Sequence, residues 1–168
     1  MWTCKKGIKM KHITNDIFQS YTELWKSIFG ETYKDKYQHA GSGLSGGGGD
    51  YPFYDIHLAE DVFLTPEYRF CLGSSVELFN VPNDWYLRTG NKSTLARMGI
   101  DASFNTYIDN GFKGHLTIEI VNNTGSSIEL KKGQPILKVE AVKCAFPAIP
   151  YNGKYQHQPS GAVGARFE

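Results

Sequence analysis

The chain is 168 residues long, 40% hydrophobic and 21% charged, with a formal charge of +1. That length suits one domain with a real core, and no apolar run approaches the roughly 18 residues that a membrane-spanning helix needs. Near-neutrality argues against a surface built on nucleic-acid backbone, which takes a basic excess, whereas a free nucleotide needs only a local cluster of cations.

The first residues, Met1-Trp2-Thr3-Cys4-Lys5-Lys6, lack the apolar stretch of a signal peptide. Cys4, Cys71 and Cys144 are few, odd in number and far apart, the pattern expected of free thiols in a reducing, cytoplasmic setting. Over 14–29, Ile17, Phe18, Tyr21, Leu24, Trp25, Ile28 and Phe29 make a helical apolar stripe, with Thr14 or Asn15 as cap. Such a helix packs on the domain or on a neighbouring subunit. The run Gly41-Ser42-Gly43-Leu44-Ser45-Gly46-Gly47-Gly48-Gly49 lacks the Gly-Lys-Ser/Thr of a phosphate loop and reads as a flexible connector. The chain thus divides into residues 1–50, a helix and its connector, and residues 51–168.

From Tyr54 onward the pattern is strands and turns. Val62-Phe63-Leu64 precedes Pro66, Tyr68 to Leu72 alternates, and Val76, Leu78 and Val81 continue to Pro82. His115 to Val121 and Ile128-Glu129-Leu130 alternate with period two, separated by the turn residues Asn123-Thr124-Gly125. Short strands with frequent turn signals predict an all-β sandwich, jelly roll or barrel.

The chemistry is concentrated between Lys92 and Glu119. Zinc deamination needs His-x-Glu with a distant Cys-x-x-Cys; the chain has no Cys-x-x-Cys, and His57-Leu58-Ala59-Glu60 has the wrong spacing. Ser93 has neither a Gly-x-Ser-x-Gly setting nor an evident histidine base, so it fits a hydrogen-bonding role at a ligand better than that of a nucleophile. Lys92-Ser93-Thr94-Leu95-Ala96-Arg97 reads as a charged loop entering a short helix near Ser93, with Lys92 and Arg97 able to meet phosphate. Tyr107 to Glu119 reads as a hairpin turning near Asn110-Gly111, and period-two geometry points Glu119 away from Ile118 and Ile120, into solvent or a pocket.

These stretches carry a family resemblance over about residues 54–168. Lys92-Ser93-Thr94-Leu95-Ala96-Arg97-Met98-Gly99 resembles the Arg-Ser-Ser-Leu-Ala-Arg-Leu-Gly of dCTP deaminases, and Ile108-Asp109-Asn110-Gly111-Phe112-Lys113-Gly114 followed by Leu116-Thr117-Ile118-Glu119 resembles their next motif. The tail Pro150-Tyr151-Asn152-Gly153-Lys154-Tyr155-Gln156-His157-Gln158 is similar to the deaminase closing segment, while Tyr54-Asp55 and Ala59-Glu60-Asp61 resemble the first motif of dUTPases. The resemblance implies a distorted jelly-roll or β-barrel fold of the dUTPase-like type, and a homotrimer with interfacial sites. It implies a deoxynucleoside triphosphate carrying Mg2+, no zinc, and neither membrane nor nucleic acid as partner.

By position, the resemblance makes Glu119 the general base that activates water against C4 of cytosine, with Ser93 and Arg97 placing base and water. It puts Lys92 on phosphate, Asp109 and Phe112 on the deoxyribose, and Tyr151, Lys154 and Gln158 in a C-terminal lid over about 148–168. The activity implied is deamination of dCTP to dUTP and ammonia, followed in bifunctional members by a second step to dUMP and pyrophosphate. A dUTPase acting through Asp109, and a silent nucleotide-binding homologue, are the alternatives.

Overall fold

Residues 18–34, 52–146 and 148–167 are described by the structure, a computed structural model. The glycine-rich stretch over 41–49 and the proposed caps Thr14 and Asn15 lie outside them. Helix α1 runs Tyr21–Phe29 and not from residue 14. Residues 18–20 are non-helical, because Ser20 ends the helix on its N-terminal side: its Oγ accepts from the Glu23 N–H at 3.2 Å, and Glu23 Oε2 accepts from the Gln19 N–H at 2.8 Å. This reciprocal pairing satisfies donors that a helix start leaves open. The apolar stripe then buries Leu24, Trp25, Ile28 and Phe29.

The rest is strand: β1 Phe53–His57, β2 Val62–Leu64, β3 Phe70–Asn80, β4 Trp85–Asn91, β5 Ile100–Asp101, β6 Tyr107–Ile108, β7 Lys113–Asn122, β8 Ile128–Leu130 and β9 Pro135–Lys143, with a short helix α2 at Ser93–Arg97. They form a four-stranded sheet β1-β9-β4-β6, a three-stranded sheet β3-β7-β5 and a pair β2-β8, each ladder antiparallel. The arrangement is the all-β class expected; no closed barrel is found among the described residues. Ile56, Leu87 and Val139 of one sheet and Phe79, Ile118 and Ile120 of the other bury themselves in one core, which α1 joins through an aromatic cluster. Trp25 stacks on Phe29 at 5.7 Å, and Phe29 lies 4.4 Å from Tyr54 and 5.1 Å from Phe79.

One expected element is different. Residues 107–119 do not form a hairpin: β6 pairs with β4, whereas β7 pairs with β3 and β5. The chain crosses between sheets at Asn110-Gly111, because the end of β3 captures it. Gly111 N–H donates to Val81 O at 3.1 Å and Val81 N–H donates to Phe112 O at 2.9 Å.

Two interior polar residues, His57 and Glu77, form a matched pair. The β3–β7 register shifts between Ser74 and Leu78, and within that irregularity Glu77 turns fully inward. Its carboxylate takes the His57 N–H at 2.9 Å and lies 2.6 Å from His57 Nδ1. Burial, then the Glu77 charge, pushes the Tyr54 phenol far above its ordinary value, so it stays neutral and accepts from the Lys34 N–H at 2.8 Å. Burial likewise holds the free thiols of Cys71 and Cys144 up, away from the reactive thiolate form.

Removing the ring that anchors α1 tests this core. Trp25→Ala should cost about 3–5 kcal/mol, read as a lower urea midpoint at an unchanged slope. A loss below about 1 kcal/mol would mean that the helix does not share the core.

Candidate active site

A cavity of about 560 Å³ opens where the two sheets and the C-terminal tail meet. Tyr107, Ile108 and Asp109 reach it from the β6 side, Leu116, Thr117 and Glu119 from β7, and Tyr151, Tyr155 and Gln158 from the tail. Among the described residues its wall therefore holds two carboxylates on a largely aromatic and aliphatic surface, and neither Lys nor Arg. A site that binds a planar base and sugar needs such a lining with a few placed polar groups.

The crossing at Gly111 builds this geometry. With φ at 75°, Gly111 sits where a Cβ would lie 2.6 Å from Pro150 Cβ and 3.0 Å from Asn83 Oδ1. Only glycine fits that approach. Asp109, exposed, precedes the turn on one side, and Glu119, half-buried, follows on the other. Glu119 Oε2 is buried without a hydrogen-bond partner among the described residues, and an unsatisfied buried carboxylate oxygen is costly unless a ligand or water uses it. Phe112 is buried, its ring 6.1 Å from that of Tyr151.

The tail is held to β7 by main-chain bonds. Gln158 forms a parallel bridge to Gly114, with the His115 N–H donating to Gln158 O at 3.0 Å and the His157 N–H donating to Lys113 O at 2.7 Å. Gly114, at φ 134°, permits this, since a Cβ there would meet Gln158 N at 2.5 Å. The Gln158 side chain is then fixed by Thr117, whose Oγ1 donates to Oε1 at 2.8 Å and accepts from the Val163 N–H at 3.1 Å. Tyr151 is fixed at both ends: its N–H donates to Asn110 O at 2.8 Å, and its hydroxyl accepts from the Tyr155 N–H at 3.1 Å.

Of the residues singled out in the sequence, the structure thus brings together Asp109, Phe112, Glu119, Tyr151 and Gln158. Ser93 and Arg97 stand exposed on α2 and do not line this cavity. Lys154 also lies outside it; its Nζ sits over the Tyr155 ring at 5.7 Å and its carbonyl accepts from Arg166 Nη1 at 2.6 Å. Lys92, expected at phosphate, lies outside the cavity and is buried in an ion pair. Its side chain is 5% exposed, and Nζ is bonded to Asp55 Oδ2 at 2.7 Å, because the loop entering α2 lies over β1 and the buried carboxylate there needs a counter-charge.

Sequence reading missed Thr117, Tyr155, Phe70 and Leu72 in the wall. Thr117 shares a strand face with Glu119 two residues on, and Leu72 is the register partner of Glu119, so the first was accessible from period two and the second needed the pairing. Metal could meet only isolated donors: no group of three or more His, Cys, Asp or Glu side chains forms a ligand cluster among the described residues. No helix among them is long and apolar enough to cross a membrane.

Comparison with known proteins follows the same lines. Residues 49–140 match a family model described as dCTP deaminase-like. A dCTP deaminase of Pyrobaculum calidifontis is 36% identical over 118 residues, 67% of this chain and 65% of its own length, so the chain spans less than two thirds of that relative. A dCTP deaminase of Thermococcus kodakarensis is 30% identical over 149 residues, 86% of this chain and 95% of its own. Among solved structures, a mutant dUTPase from phage phi11 of S. aureus, described with a coordinated structural Mg(II) ion, superposes with a TM-score of 0.53 at 16% identity, covering 76% of this chain and 94% of that one. That likeness supports the jelly-roll-like fold.

The Lys92–Asp55 pair can be tested by breaking and then replacing it. Lys92→Met alone strands the Asp55 carboxylate and should cost about 3–5 kcal/mol, and adding Asp55→Leu should recover most of the loss. Urea denaturation of both variants reads this out; a single-variant loss below about 1 kcal/mol, the scale of an exposed pair, would contradict a buried one.

Proposed function

Because this chain belongs to the dCTP deaminase-like family, we propose that it hydrolyses dCTP to dUTP and ammonia without zinc. The observation that carries the reading is Glu119 in the wall of a largely aromatic and aliphatic cavity, with its Oε2 buried and without a hydrogen-bond partner. Glu119 takes a proton from water as the oxygen attacks C4. The C4–O bond forms, the exocyclic amine leaves as the C4–N bond breaks, and the same carboxylate returns the proton to ammonia. Asp109 and Phe112 hold the deoxyribose, and Tyr151 and Gln158 close the tail side.

Among the described residues the cavity has no cationic lining, while Ser93 and Arg97 are exposed outside it. Both facts fit a homotrimer in which α2 of a neighbouring copy completes the site, bringing Arg97 to the phosphates and water and Ser93 to the base. Lys154, also exposed, is then available to the same phosphates. Magnesium suits this donor set as a hard cation carried on the phosphates with few protein ligands; it supplies charge neutralisation there. A second step, from dUTP to dUMP and pyrophosphate, is favoured by the exposure of Asp109 at the cavity wall, where it can activate a water against phosphorus.

Incubation with dCTP or dUTP and magnesium, assaying ammonia and pyrophosphate separately, decides among these. Ammonia from dCTP is expected. Pyrophosphate from dUTP with no ammonia from dCTP would mark a dUTPase, and binding without either product a silent homologue. Glu119→Gln should lower ammonia release by about 10²–10⁴-fold while leaving dCTP affinity within about threefold; normal deamination by that variant would remove Glu119 from its role.

A further inference from the structure

We infer that Phe79, which does not line the active-site cavity, is a positioning residue for it, and that helix α1 acts on the nucleotide pocket through this ring. The inference rests on the reading of that cavity as the nucleotide site.

Five aromatic rings make a continuous path from α1 to the cavity wall. Trp25 stacks on Phe29 at 5.7 Å and 12°, and Phe29 meets Phe79 edge-on at 5.1 Å and 79°. Phe79 meets Phe112 at 6.3 Å and 62°, and Phe112 meets Tyr151 at 6.1 Å and 57°. Each separation lies in the range where aromatic pairs attract with a preferred geometry. Trp25, Phe29 and Phe79 are all at most 1% exposed, and Phe112 is 7% exposed. Only the last two rings, Phe112 and Tyr151, line the cavity.

The backbone reinforces the side-chain path. Phe79 is the register partner of Gly114, and two residues later Val81 exchanges main-chain bonds with Gly111 and Phe112. At the other end, Thr32 Oγ1 donates to Phe29 O at 2.7 Å and accepts from the Leu78 N–H at 3.0 Å. That hydroxyl clamps the end of α1 to the residue beside Phe79. Trimming a ring held between two others in a close-packed interior opens a cavity and removes the contacts that hold its neighbours in place. Phe112 is the neighbour that faces the ligand. Helix α1 lies outside the segment 49–140 that matches the family model, so this support comes from a part of the chain that the match leaves out.

The test uses the full chain with Phe79→Leu, and with Phe79→Met, whose flexible side chain fills irregular gaps, in case the first folds poorly. Hydrogen exchange of the ligand-free protein is the first readout. The amides of Gly111, Phe112 and Tyr151 should exchange about tenfold faster, with those of the β1–β9 ladder unchanged. Steady-state kinetics is the second: KM for dCTP should rise about three- to tenfold, with kcat within about twofold. Leu130→Ala, a core change on β8, should lower stability without moving either readout. Unchanged Gly111, Phe112 and Tyr151 amides in the Phe79 variants, or an equal response to Leu130→Ala, overturns the inference. A wild-type protein that releases no ammonia from dCTP defeats the proposed function instead, and the exchange result still decides the role of Phe79.

Discussion

Gly111 has no room for a β-carbon, and the architecture of the site follows from that. The chain must pass between Asn83 and Pro150 at a positive φ while bonding to Val81 on both sides. A residue with a side chain would push the turn away from β3 and separate the two sheets where they share the cavity. Because the turn is tight, β6 and β7 belong to different sheets, and Asp109 and Glu119 arrive from different directions at one space. The same contact seats Pro150, which places Tyr151 beside Phe112. One close approach thus sets the cavity's two acidic walls and the beginning of its cover.

Charge in the interior is distributed with similar economy. His57 and Asp55 lie on alternate positions of β1, and each has a partner from another element, Glu77 from β3 and Lys92 from the loop before α2. Pairs of this kind gain little stability over well-packed apolar residues, yet removing one member is expensive. Their effect is to fix alternatives: the Glu77 pair holds the irregular stretch of β3 against β1, and the Lys92 pair holds the base of α2 while leaving Ser93 and Arg97 exposed. Glu119 forms no ion pair among the described residues, and its Oε2, like Oδ1 of Asp55, is buried without a hydrogen-bond partner. Of these three carboxylates, Glu119 is the one that lines the cavity.

Much of this was legible in the sequence, for identifiable reasons. Period-two alternation found β7 and the outward turn of Glu119, since a strand with one buried face writes its geometry into every second residue. The Ser20-x-x-Glu23 cap was legible too, but the apolar stripe over 14–29 drew attention further upstream. The supposed hairpin at 107–119 was misread because Asn-Gly is a local turn signal, whereas strand partnership is settled by distant residues, here Val81 and Leu87. β9 was missed although Leu137, Val139 and Ala141 alternate, and it lies between β1 and β4 in the four-stranded sheet. The expected phosphate role of Lys92 rested on its charge and on the resemblance; its partner in this chain, Asp55, is 37 residues away and becomes visible only when β1 is in place.

The bridge between Gly114 and Gln158 turns the tail into a measuring device. Main-chain pairing is indifferent to side chains but strict about count, since a shift of one residue sends each side chain to the opposite face. Between Tyr151, anchored to Asn110, and Gln158, anchored to Gly114, the chain has a fixed span to cover. Exchanges at exposed Asn152 or Lys154 leave that span intact, whereas one inserted or deleted residue would turn Gln158 away from Thr117 and out of the cavity. In this segment, length is held more tightly than composition.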